Sequence, residues 1–244
     1  MLWLDGFFMA WGMFFWIPVP VKRWNEAARG QMLCCMPLIG LMLGLIWAAA
    51  AWLLRGLPPA VYALCLAVLP WLLSGFMHLD GFMDVCDAAM SRRELETRQK
   101  ILKDSRCGAF AVIGLVLLVL AQWCVLFSAE RPALLPLALL PVTTRLCAAV
   151  AMQTVRPMTS SQYAAMPGGI SGRVIVPAVI LAALVVFLPL GCGGAGFSAL
   201  AAVLGYGFAA LYGVRRLGGI NGDISGFALS IGELAGLAVL CLVR

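Results

Sequence analysis

Three carboxylates fall within eight residues of this chain, in His78-Leu79-Asp80-Gly81-Phe82-Met83-Asp84-Val85-Cys86-Asp87, although the whole sequence holds only 11. A helix advances about 100° per residue, which places Asp80, Asp84 and Asp87 within roughly 60° of one another on a single face. Like charges so placed repel. A proton on one of them, or a divalent cation among them, relieves the conflict, and carboxylates with water and phosphate oxygens are the usual surroundings of Mg²⁺. The plainer alternative is an acidic helix end, solvated or ion-paired with the basic residues that follow. Metal binding is the stronger reading, because the block lies in a region rich in Lys and Arg where topology gives no reason to gather acids. His78, the only histidine, falls about 160° from Asp80 on the same helix, which suits a hydrogen-bonding group better than a catalytic base.

Two further segments carry polar groups that could serve chemistry. In Lys103-Asp104-Ser105-Arg106-Cys107-Gly108, Arg106 can hold an anionic group while Asp104 adds a ligand or orients the arginine. The ordinary alternative is a basic loop with a local ion pair. In Leu217-Gly218-Gly219-Ile220-Asn221-Gly222-Asp223, glycines such as Gly219 and Gly222 allow backbone amides to approach phosphate oxygens. A flexible turn with Asp223 as a helix N-cap is the competing view. Glu233 lies inside an apolar stretch, where a carboxylate is costly enough to suggest a role; its alternative is a pairing with Arg145.

The elements that position these groups follow from composition. With 63% hydrophobic and 11% charged residues and a mean hydropathy of +1.00, the chain departs from soluble domains, which carry roughly 25% charged residues. A helix needs about 20 apolar residues to cross the hydrocarbon core. Eight stretches fit a crossing or a re-entrant segment: 4–20, 36–54, 57–77, 108–128, 132–152, 174–191, 195–212 and 224–243. The expected fold is all-α, a polytopic integral membrane helical bundle of about 7–8 transmembrane or re-entrant helices, with residues 1–244 forming one catalytic domain in the lipid bilayer. The first stretch is short and ends in Pro18-Val19-Pro20, so it either spans, re-enters or lies at the interface. The uncharged run 174–212 is interrupted by a glycine-rich segment at 191–196 and reads as a helical hairpin.

Lys and Arg accumulate in cytoplasmic loops. Placing Lys22, Arg23 and Arg29 in the cytoplasm puts 13 basic residues on that side, against Arg55, Arg131 and Arg244 on the other, with Arg145 inside a span. That bias puts the acidic block, the Asp104 segment and the glycine loop all at the cytoplasmic face, and the expected location is a bacterial cytoplasmic (inner) membrane. The formal charge of +6 reports topology, and no basic face on a soluble module points to nucleic acid. Nine cysteines without a Cys-x-x-Cys motif argue against zinc. Gly40 and Gly44, and Gly232 and Gly236, have the spacing that lets membrane helices approach closely, within a chain or in a homo-oligomer.

These pieces, together with Pro18-Val19-Pro20 and Pro37-Leu38-Ile39-Gly40, run in the order of a known pattern. The sequence resembles the cobalamin synthase (adenosylcobinamide-GDP ribazoletransferase) family, and His-Leu-Asp-Gly-x-x-Asp-x-x-Asp is the most specific part of the likeness. Phe15 and Trp16 stand where family members often have Thr-Arg, and Ala88 where glycine usually follows the acidic block, so no binding role is expected of the N-terminal segment. The resemblance implies a Mg²⁺-dependent phosphotransferase in cobalamin biosynthesis. In it, α-ribazole or its 5′-phosphate attacks the phosphorus attached to adenosylcobinamide in adenosylcobinamide-GDP, and GMP leaves. It implies metal ligation by Asp80, Asp84 and Asp87 and charge compensation by Arg106. It also implies a base or orienting group in Asp104 or Asp223, and substrate contacts from His78, Ser105, Gly219, Gly222 and Glu233. A transporter and a phospholipid-forming alcohol phosphotransferase are the competing classes. The latter's Asp-Gly-x-x-Ala-Arg spacing is missing here.

Overall fold

The computed structural model describes the chain apart from Glu130, Ser160, Gln162, residues 164–171 and Arg244. Ten α-helices are found among the described residues: α1 (Leu2–Phe14), α2 (Arg29–Leu53), α3 (Pro59–Leu73), α4 (Met77–Met90), α5 (Leu95–Ile101), α6 (Ala109–Ser128), α7 (Leu134–Thr154), α8 (Gly172–Cys192), α9 (Ser198–Leu217) and α10 (Gly222–Leu242). The one extended pairing among those residues is an isolated bridge between Pro157 and Ile220. The all-helical membrane architecture expected from composition is the one observed.

Five helical stretches are long and apolar enough to cross a membrane, or six if the bent pair α3–α4 counts as one, rather than the seven to eight expected. Two of the differences have simple causes. Helix α1 has 13 residues, about 20 Å of helix against a hydrocarbon core of about 30 Å. The expected span 57–77 is cut short at Leu73, because Gly75 and Phe76 both adopt the left-handed conformation (φ 61° and 60°) and turn the chain by 92° into α4. Two such residues in succession cannot continue a right-handed helix, and the conformation is costly for the non-glycine Phe76. The third difference is one of counting. Helices α8 and α9 form one 46-residue helical stretch, Gly172–Leu217. At about 1.5 Å per residue it measures about 69 Å, more than twice the hydrocarbon core. It breaks at Gly193 (φ 59°), and Gly196 comes back against the Leu188 carbonyl, so the chain reverses where the glycine-rich segment lies.

Packing among the long helices depends on close backbone approach. Gly40 and Gly44 of α2 face the Pro141 and Ala138 carbonyls of α7, while Gly232 and Gly236 of α10 face Ala202, Tyr206 and Ser198 of α9. Both glycine pairs are thus used within the chain. Arg145 of α7 and Glu233 of α10 form an ion pair of 2.8 Å with side chains only 1% and 6% exposed. Thr144 adds a hydroxyl contact of 3.3 Å to the same carboxylate oxygen.

The ends of these helices sort by charge. The segment after α7 that holds Arg156 is tied to the loop that follows Arg215 and Arg216 of α9, since Ile220 N–H donates to the Arg156 carbonyl and Met158 N–H to the Ile220 carbonyl, each at 2.9 Å. Gln99 joins them by donating to the Leu217 carbonyl at 2.8 Å. At the opposite end, Arg55 and Arg131 border one cavity with Ala195 and Leu240. Arg244 lies outside the described residues.

Candidate active site

Helix α4 is amphipathic and crosses the basic end of the bundle. Its apolar face buries Leu79, Phe82, Val85, Cys86, Ala88 and Ala89 against α10 and α6. The opposite face leaves Asp80 exposed and Asp84 half-buried. Gly81 permits the key approach: a Cβ there would lie 2.8 Å from the Asp223 Cα, so only glycine lets the first turn of α10 reach α4. That turn is capped by Asn221, not Asp223. The Asn221 side-chain oxygen accepts from Ile224 N–H at 2.9 Å, and its amide donates to Asp223 Oδ2 at 2.7 Å.

Asp223 is therefore held toward the acidic face of α4. Asp84 has Asp80, Asp223 and Asp87 as neighbouring negative charges, and Asp223 in turn feels Asp80. The ion pairs found among the described residues involve other carboxylates, so none compensates Asp80, Asp84 or Asp223. Three neighbouring acids, Asp84 and Asp223 half-buried and Asp80 exposed, with no cation paired to them among the described residues, are a donor set that suits a hard divalent ion. No three His, Cys, Asp or Glu side chains among the described residues already close around a metal position. Mg²⁺ does not require such a cage, because it commonly takes one or two carboxylates and completes its shell with water and phosphate oxygens.

Asp87 has a different occupation. Its two oxygens accept from the backbone N–H groups of Gly108 and Ala111, two amides at the start of α6 that have no partner within the helix. The absence of a side chain at Gly108 is what admits the carboxylate. Asp87 thus pins α4 to α6 from 21 residues away. We expect Asp87→Asn to cost roughly 1–2 kcal/mol of stability by losing a charged cap, read as a lower unfolding temperature in detergent. The response of the remaining activity to added Mg²⁺ should match that of the wild-type protein.

Asp104 and Arg106 form a bidentate pair, with Nε donating to both carboxylate oxygens at 3.0 and 3.1 Å and Nη2 to Oδ2 at 2.7 Å; Arg106 N–H also donates to Oδ1. Those hydrogen bonds hold the Asp104 carboxyl down to about 2, which makes it a poor proton acceptor. Of the two roles open to it, orienting Arg106 is the one the geometry supports. The arginine side chain is 88% exposed, and Ser105 beside it is exposed as well. Asp104 is not among the charges that reach Asp84.

The remaining expected site residues divide. Gly219 is buried against the backbone of Pro157 and Met158, where a Cβ would lie 2.7 Å from the Met158 nitrogen, so its smallness serves packing. Gly218 ends α9 in the left-handed conformation (φ 88°). Glu233 is paired to Arg145 in the core, away from the acidic cluster. Gly222 is exposed and opens, with Asp223, onto a cavity of about 250 Å³.

His78 lies on the same cavity. On α4 it points away from Asp80, as the helical spacing requires, but α10 brings Asp223 around from the other side, and both residues become its lining. The imidazole is stacked on Phe14 of α1, with ring centres 6.0 Å apart. Met13 and Phe14 complete that wall, so α1 contributes to the site although nothing in its sequence marked it. Nor was Asn221 marked; its N-cap type at the start of an apolar run was the available signal.

Residues 6–241 match the family described as cobalamin-5-phosphate synthase. The chain is 34% identical over 247 residues to an adenosylcobinamide-GDP ribazoletransferase of Clostridium perfringens (strain SM101), covering 96% of both chains. It is 32% identical to the protein of that name from Geobacillus kaustophilus, covering 98% of this chain and 96% of the relative. The protein of that name from Geotalea daltonii is also 32% identical, with 93% and 91% covered. No solved structure matches the chain. A match over nearly the whole length, through every helix that builds the acidic cluster, establishes that this multi-pass membrane protein belongs to the cobalamin-5-phosphate synthase family.

Proposed function

We propose that the chain joins adenosylcobinamide-GDP to α-ribazole or its 5′-phosphate with release of GMP, at the cytoplasmic face of a bacterial inner membrane. The observation that carries this reading is the meeting of Asp80, Asp84 and Asp223, without a paired cation among the described residues, at the basic end of the bundle and beside a cavity. Phosphoryl transfer asks a protein mainly for charge neutralisation and alignment of the attacking hydroxyl. Asp80 and Asp84 would hold Mg²⁺, which when bound neutralises charge on the pyrophosphate. Asp223, standing between the acids and the cavity, orients the ribose hydroxyl and accepts its proton as the new bond to phosphorus forms. Arg106, fixed by Asp104 and exposed to solvent, offsets the charge gathering on departing GMP. Asp87 acts by keeping α4 in place on α6.

The test is purified protein in detergent with both substrates and Mg²⁺. GMP should appear in step with the cobamide product, and chelation of the metal should stop both. Release of no GMP by well-folded protein would sink the reading and favour a transporter.

A further inference from the structure

Phosphoryl chemistry leaves one property of the cavity beside Asp223 unused. Its walls are apolar and polarizable, with Met13, Met36, Met77 and Met152 around Phe14. Set among them is His78, only 6% exposed, whose Nε2 has no hydrogen-bond partner among the described residues. Ser225 on the same wall is already engaged, at 2.9 Å from the Tyr206 hydroxyl. A buried nitrogen left unsatisfied costs about 1–3 kcal/mol, and one that faces a cavity is free to bond whatever occupies it, water or ligand. The volume limits which ligand. Pockets for drug-sized molecules run about 300–1,000 Å³, so about 250 Å³ takes one fused ring system and excludes a macrocycle.

We propose that this cavity seats the fused heteroaromatic base of the attacking nucleoside, with His78 Nε2–H donating to the unsubstituted ring nitrogen and Asp223 at the rim meeting the ribose. The assignment rests on the reaction proposed above, and it separates the two bases that reaction involves. Guanine carries a carbonyl, a ring N–H and an amino group along its edge. With Asp223 given to the ribose and Ser225 to Tyr206, His78 Nε2 is the buried side-chain nitrogen or oxygen left without a partner on this wall among the described residues, so several of these would be stranded at about 1–3 kcal/mol each. A benzimidazole presents a single acceptor nitrogen and an otherwise apolar rim, which Met and Phe side chains pack well. His78 and the methionines therefore set base specificity, and purine nucleosides are the poorer substrates.

The experiment measures α-ribazole binding to the purified protein without its co-substrate, alongside KM for each substrate. Met36→Trp, which fills the cavity, and His78→Phe, which keeps the ring and removes the donor, should each raise Kd and KM for α-ribazole about tenfold. KM for adenosylcobinamide-GDP should move less than twofold. An indole analogue with C–H in place of the acceptor nitrogen gives a comparison inside one protein, so any loss of fold cancels. Wild-type protein should bind it about tenfold more weakly than α-ribazole, and His78→Phe should bind the two alike. Active enzyme whose α-ribazole KM is unmoved by both substitutions, or whose adenosylcobinamide-GDP KM moves instead, overturns the assignment. Binding that behaves as described while wild-type protein releases no GMP supports the cavity and overturns only the reaction.

Discussion

Asp84→Asn should lower the rate of product formation at least about 100-fold, the scale on which a group that stabilises transition-state charge acts, without lowering thermal stability. The two halves of that expectation have one origin. Asp84 sits between Asp80, Asp223 and Asp87 with no cation paired to it among the described residues, so its charge repels its neighbours in the metal-free protein. Removing the charge relaxes the folded state and would take away an oxygen of the proposed metal site. The substitution should also raise the Mg²⁺ concentration needed for half-maximal rate. Activity assays over a Mg²⁺ series, with unfolding temperatures of the same preparations, check both halves. An Asp84→Asn protein with undiminished activity would remove the metal role, and one that unfolds early would mark Asp84 as structural.

The second large effect concerns Arg145 and Glu233. Each single change, Arg145→Met or Glu233→Leu, should destabilise by about 3–5 kcal/mol, because it strands the other charge in an apolar interior. The double variant should recover most of that loss, since apolar side chains of similar size often replace a buried pair at little cost. Thermal unfolding of the four proteins completes a double-mutant cycle. A large favourable coupling identifies Glu233 as a packing partner of α7. If Glu233→Leu instead abolishes activity at unchanged stability, and Arg145→Met does not restore it, the carboxylate touches substrate.

The parts of the fold that could be read in advance were those governed by local composition. Expected stretches at 108–128, 132–152 and 224–243 lie within two residues of α6, α7 and α10 at both ends, since an uninterrupted apolar run of membrane length has few alternatives. The bend after α3 was hidden for the opposite reason. Hydropathy continues smoothly through 57–77, and the turn depends on two backbone conformations at Gly75 and Phe76 that no average over side chains registers. The acidic site divides along the same line. Helical spacing put Asp80, Asp84 and Asp87 on one face, which holds, but spacing treats the three as equivalent. Asp87 was drawn off by amides 21 and 24 residues away, and Asp223 took its place beside Asp84 through a contact at Gly81 between distant helices. Contacts of that range are decided by packing, and a single sequence carries little trace of them.

The buried pair between α7 and α10 also constrains how the protein is made. Arginine at the centre of a membrane helix costs about 2.5–3.5 kcal/mol to insert, and α7 leaves the ribosome well before Glu233 has been synthesised. For that interval Arg145 lacks the carboxylate it meets in the folded protein, and its insertion cost falls on the apolar residues of α7 and on the packing of α7 against α2. The middle of the bundle gains its ion pair only with delivery of α10. The helix that closes the core is the one that carries Asp223, so a chain halted before α10 lacks both its acidic site and a settled α7.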